Sequence, residues 1–279
     1  MLDDAVRAYR NSLGQRLVAA YALGSLAHGG FSVLVSDVDL GLVLADPLDS
    51  SDRGMVQAVA DGVKARGSVL HERLSVFWGT PSTLRVGAGG GRFPPLDRLD
   101  LLENGQLLDG EEARQGMVCP DRAELLVAGA EFALDILGPG KDPVIPASRD
   151  LRMLASARGQ VLEEIRCPEL LLTQSSRHLT KIVLFPVRLL YTAATGKVGA
   201  NQVAAEYYLA SGAPSASLVS AALAWRVTRL LHGAAAELLA RELLPLYLYY
   251  IDDHIAHLSA LGQVDLERAF VRWRGRLLN

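Results

Sequence analysis

The sequence predicts an α+β protein in two parts, a mixed β-sheet with flanking helices over residues 1–120 and an all-α helical bundle over 121–279. Three observations carry that expectation. Apolar runs of strand length alternate with helical patterns through the first 110 residues, the order produced when helices cover a sheet. From about Arg122 onward Leu, Ala and charged residues recur at helical spacing and β-branched alternation all but disappears. The length of 279 residues suits two domains, since domains cluster near about 100–150 residues.

Residues 2–11 carry a helical pattern. Leu17 to Leu23 is an apolar run closed by Gly24, which reads as a buried strand ending in a glycine turn. Residues 38–45, Val-Asp-Leu-Gly-Leu-Val-Leu-Ala, form a second strand. Ser51 and Asp52 offer N-caps to a helix reaching about Ala65, and residues 69–78 make a third strand. Residues 80–95 are rich in Gly and Pro and read as a long loop, followed by a short helix at 96–103 and a short strand at 106–109. In the second half, breaks fall at 138–146, Cys167-Pro168, 195–199, 211–214 and Gly262. The helices between them are suited to a bundle.

A formal net charge of −3 argues against bulk nucleic acid as the main partner, because such binders carry a basic surplus. Cys119 and Cys167 have no partner at metal-ligand spacing, so neither a disulfide framework nor a zinc site is expected, and a reducing cytoplasm fits. The first ten residues include Asp3 and Asp4 and do not form a signal peptide; no apolar run is long enough to span a membrane.

Asp37 and Asp39 stand at i and i+2 on a strand, so both carboxylates point to one face and can share divalent ions while Val38 turns to the core. Gly24 and Ser25 close the preceding strand, and residues 26–28 begin a short helix whose free N–H groups suit an anion. The run Leu23-Gly24-Ser25-Leu26-Ala27-His28-Gly29-Gly30, then Ser36-Asp37-Val38-Asp39-Leu40 and the apolar residues 41–44, resembles the polymerase-beta-type nucleotidyltransferase signature in order and spacing. The resemblance implies that residues 1–120 are a nucleotidyltransferase domain and that a third carboxylate lies on a neighbouring strand, completing the metal site and acting as base. Glu72 is the candidate, placed by alternation at the edge of the third strand. Catalysis would then rest on Asp37, Asp39 and Glu72 with two Mg2+ ions, and Gly24, Ser25 and Ser36 would contact the nucleotide.

Residues 187–198 (Val-Arg-Leu-Leu-Tyr-Thr-Ala-Ala-Thr-Gly-Lys-Val), continuing through Glu206-Tyr207-Tyr208, resemble the streptomycin/spectinomycin type of aminoglycoside adenylyltransferase. That resemblance implies ATP as donor, transfer of AMP to a hydroxyl of a small molecule with release of pyrophosphate, and triphosphate contacts from Arg188 and Lys197. The residues agree in part: Arg177, Lys181 and Arg188 share one helical face, and Pro186 is expected to kink that helix. Two departures bear on the substrate. The stretch Ser175-Ser176-Arg177-His178-Leu179 lacks the acids with which the family binds cationic drugs, and a family lysine is replaced by Asn201. The rival expectations are an antitoxin-like transferase acting on a protein or tRNA, and a catalytically silent nucleotide-binding or interaction protein of the same fold.

Other features carry plainer expectations. Residues 87–92 (Gly-Ala-Gly-Gly-Gly-Arg) read as a mobile loop able to act as a lid, Asp253, His254 and His257 as a solvated helix face, and Trp78 and Trp225 as core.

Overall fold

The computed structural model describes residues 1–86, 90–138, 160–228 and 232–279. The chain divides into two compact units, Met1–Pro120 and Asp121–Asn279.

The first unit is built on a four-stranded sheet of order β3-β2-β1-β4, with β1 Leu17–Leu23, β2 Val38–Leu44, β3 Leu74–Gly79 and β4 Gln106–Gly110. β1 runs antiparallel to β2 and β4, and β2 parallel to β3. Alternation assigns the two faces. Val38, Leu40, Leu42 and Leu44 of β2 and Leu74, Val76 and Trp78 of β3 pack against helices α1 (Leu2–Leu13) and α3 (Asp52–Lys64). Val43 and Phe77, with Tyr21 and Leu23 of β1, turn the other way, toward Leu84 and Leu101. Those leucines belong to α5 (Pro81–Val86) and α6 (Pro95–Asn104).

Two elements differ from expectation. The presumed third strand over 69–78 begins as a helical turn, α4 (Val69–Glu72), and only Leu74–Gly79 is extended. Ser68 accepts the His71 N–H and so caps that turn, a local bond that competes with the β propensity of Val69 and Leu70. The presumed loop over 80–95 contains α5. Thr80 and Thr83 exchange side-chain bonds to each other's N–H groups, at 2.8 and 3.4 Å, and Pro81 supplies a preset φ for the first turn. Residues 87–89 of the expected lid lie outside the described residues, whereas Arg92 pairs with Trp78 through both backbone groups.

The second unit is helical: α7 (Arg122–Ile136), α8 (Gln160–Arg166), α9 (Ser176–Thr195), α10 (Asn201–Ala210), α11 (Ala216–Ala224), α12 (His232–Ala260) and α13 (Val264–Leu278). Asp121 caps α7 and Ser175 caps α9, while Gly196 in the left-handed region ends α9. The expected break at 138–146 lies outside the described residues from 139 onward. Among the described residues no helix is long and apolar enough to cross a membrane.

His254 is not solvated. Its ring is 1% exposed, stacked on Phe270 at 5.7 Å and set 4.3 Å from Tyr250 within the α12–α13 contact. Burial pushes the imidazole below its ordinary value of 6.5, with the Asp253 carboxylate opposing and His257 adding to the depression. A depressed histidine contributes stability that is complete above the unfolded value and is lost as pH falls through the folded one. Thermal melts should therefore show the wild type losing stability below pH 6.5 more steeply than His254→Phe; equal slopes would exclude this account.

Candidate nucleotide and metal site

The site grows from the end of β1. Gly24 follows Leu23 at φ +59, opening the four-residue turn α2 (Gly24–Ala27). The antiparallel register sets Leu23 opposite Asp39, so the Asp39 side chain lies over Gly24. A Cβ at position 24 would fall 3.2 Å from Asp39 Cγ and overlap its Oδ2. Glycine is thus required twice at this position, by its backbone conformation and by the approach of the carboxylate.

Asp37 and Asp39 are both half-buried and flank Val38, which is 3% exposed and faces α1 and α3. Asp39 therefore belongs to the sheet face covered by α6, and Asp37 is the residue immediately before the strand. The loop before them is closed by Ser36, 6% exposed, whose Oγ accepts the Ser32 N–H at 3.0 Å and whose N–H donates to Ser32 O at 2.8 Å. Its hydroxyl thus shapes the lead-in to Asp37. Ser25 is half-buried on the α2 turn.

Glu72 is corrected. It is exposed, the last residue of α4 rather than part of β3. The reason is both local and periodic: the capped turn takes residues 69–72 out of the strand, and the β3 residue paired with Asp39 is Ser75. Among the described residues no group of three or more His, Cys, Asp or Glu is placed to hold a metal ion. The three predicted carboxylates are accordingly two plus one.

Sequence reasoning missed Asp100. It is 6% exposed on α6, and its Oδ2 accepts the Gly24 N–H at 2.5 Å while Oδ1 accepts from Asn104 Nδ2 at 2.9 Å. The first N–H of the glycine turn is therefore taken by a carboxylate. An acid inside the apolar run Leu99-Asp100-Leu101-Leu102 was the available signal, because buried carboxylates demand partners. Arg98 on the same helix is also buried, at 2% exposure.

In the helical unit, Arg177, Lys181 and Arg188 share the less buried stripe of α9. Lys181 Nζ and Arg188 Cζ flank the Phe185 ring at 6.0 and 5.7 Å, and Arg188 Nε donates to Gly199 O. Burial, and then the positive charge of Arg188, hold the Arg226 guanidinium below its ordinary value. Lys197 is exposed just past the Gly196 cap, and Asn201 opens α10. Near the expected drug-binding stretch one acid does occur. Glu164, 1% exposed, accepts from His178 Nε2 at 2.7 Å and from Gln160 Nε2 at 2.9 Å, so it is engaged internally.

No family model and no curated protein matches the chain. Among solved structures it is similar to spectinomycin adenyltransferase AAD(9) from Enterococcus faecialis, determined with ATP and spectinomycin. The TM-score is 0.54 at 11% identity, over 88% of this chain and 97% of that one. At that identity the likeness is one of fold: a mixed sheet with helices, followed by a helical unit, is the architecture the two chains share.

Proposed function

We propose that the protein is a metal-dependent nucleotidyltransferase that moves AMP from ATP to a hydroxyl of a small molecule and releases pyrophosphate. The observation that carries this reading is the packing of Asp39 over Gly24, which brings the two-aspartate strand and the glycine-serine turn to one place. The donor chemistry fits a hard divalent ion: two half-buried carboxylates on one face match the way Mg2+ is held by one or two carboxylates together with substrate phosphates. This set suits one ion shared with the triphosphate better than the two expected from sequence. Held by Asp37 and Asp39, such an ion would neutralise triphosphate charge and ease ionisation of the attacking hydroxyl.

The chain's own residues supply binding and orientation. Asp37 and Asp39 anchor the triphosphate end, and the Ser25 hydroxyl borders it. Arg188 and Lys197 are the phosphate contacts we assign within the helical unit. The acceptor oxygen forms a bond to the α-phosphorus as the bond to pyrophosphate breaks, and its proton leaves to solvent or to a base. A neutral or anionic acceptor is favoured over a polycation, since the stretch 175–179 itself carries no acid and Glu164, which accepts from His178, is buried. The likeness to a structure determined with ATP supports ATP as donor. A cytoplasmic setting is consistent with two free cysteines.

A second reading, a nucleotide-binding protein without turnover, is favoured by one observation: Ser75, not an acid, pairs with Asp39. Pyrophosphate release from each of the four NTPs, measured across a panel of metabolites and aminoglycosides, separates the two. Release dependent on ATP and one acceptor class supports transfer. Nucleotide binding without release under any pairing supports the silent reading, and absence of binding rejects both.

A further inference from the structure

We propose that Asp100 is a positioning residue that sets the Asp39 carboxylate by fixing Gly24 from behind, an inference that rests on the metal-nucleotide reading of this site. Gly24 is held on three sides. Its N–H is taken by Asp100 Oδ2 at 2.5 Å, its carbonyl accepts the His28 N–H at 3.1 Å, and Asp39 occupies the space where a side chain would stand. Asp100 is fixed in turn, since Asn104 Nδ2 holds its other oxygen at 2.9 Å and the carboxylate is 6% exposed. The far end of the same turn is tied by Gln106 Nε2, which donates to Ala27 O at 2.7 Å.

The arrangement has a direct mechanical consequence. A glycine at φ +59 has many alternative conformations. A hydrogen bond to a buried side-chain oxygen that is itself held in place selects one of them. In that one conformation the Gly24 Cα presents a flat surface on which Asp39 Oδ2 rests. Rotation of the Gly24 peptide would change that surface and with it one of the contacts that bound the Asp39 side chain. Asp100 therefore acts on the ligand carboxylate across one residue without touching metal or nucleotide. Supporting groups of this kind change metal affinity by about 10–100-fold when removed.

The test uses the full chain and Mn2+ as the probe, with the free ion counted by paramagnetic resonance and the Asp39 carboxyl carbon and Gly24 amide followed by NMR. Asp100→Ala should weaken Mn2+ binding by about 10-fold or more and shift the Asp39 carboxyl resonance, while Asp100→Asn should stay within about 3-fold. The asparagine keeps an oxygen for the Gly24 N–H, and Asn104 can turn its amide to match. If Asp100→Ala fails to fold, Asn104→Leu loosens Asp100 from outside the site, and the same two measurements are expected to move in the same direction. Unchanged Mn2+ affinity and an unchanged Asp39 resonance in a folded variant would overturn the proposal. Equal damage from Ala and Asn would overturn it too, since charge rather than position would then be responsible. If the wild type binds no Mn2+, the metal reading fails, and the Asp39 resonance alone decides the role of Asp100.

Discussion

Asp39→Asn is expected to abolish Mg2+-dependent ATP binding while leaving the fold intact. The substitution keeps the size of the side chain and its seat on Gly24 but removes one of the two negative charges facing the ion. A neutral amide oxygen is a much poorer partner for a hard divalent ion that already retains several waters. Loss of one preorganised electrostatic contact at such a site costs on the order of 10²–10³ in turnover. Calorimetry of ATP titrated with and without Mg2+ checks the binding, and a thermal melt checks the fold. The fold should survive because Asp39 is half-buried and stands two residues from Asp37, so removing one charge also relieves repulsion between them. Metal-dependent heat equal to that of the wild type would remove Asp39 from the site.

Ser75→Glu is expected to raise pyrophosphate release. In the parallel register Ser75 is the β3 partner of Asp39, so a carboxylate there would share the face that Asp37 and Asp39 occupy. Ser75 is half-buried between Leu74 and Val76, which face the other side of the sheet, so the longer side chain points toward the site and not into the α1–α3 core. A positioned general base contributes about 10²–10⁴-fold. A rise of that order in a steady-state assay, with the same acceptor as the wild type, would identify the missing group. If the wild type is silent, the gain should appear from a baseline of zero. No change with ATP still bound would mean that the acceptor proton does not leave toward β3. The reciprocal control is Glu72→Gln, expected to leave turnover unchanged because that side chain is exposed on a helical turn.

The strands that place the site were legible because each is a nearly continuous apolar run of strand length. Leu17–Leu23 and Val38–Leu44 carry long buried runs bounded by Gly24 on one side and polar residues on the other. The pair Asp37 and Asp39 was legible from its i, i+2 spacing, since alternation alone sends both to one face. The error at Glu72 came from reading 69–78 as one extended run. Val69 and Leu70 are apolar enough for a strand, but the side chain of Ser68 offers a helical cap that periodicity does not register. Helix α5 was hidden by the glycines that follow it, although Thr80-Pro81 is itself a helix-start signal. Asp100 was out of reach for a different reason. Its partner is 76 residues away, and only the folded sheet brings α6 against the glycine turn. His254 was misjudged because helical spacing next to Asp253 and His257 says nothing of which face α13 covers.

The strand that carries Asp39 is also the interior strand between β1 and β3, paired along nearly its whole length on both sides. Elements paired in this way open last in native proteins, and their amides exchange with solvent only when the whole unit unfolds. Asp39, the second residue of that strand, is paired on both sides, with Leu23 and with Ser75, while the turn it rests on begins at a strand terminus. An ion arriving there meets a ligand that has already lost its backbone freedom, and little ordering is left for binding to impose.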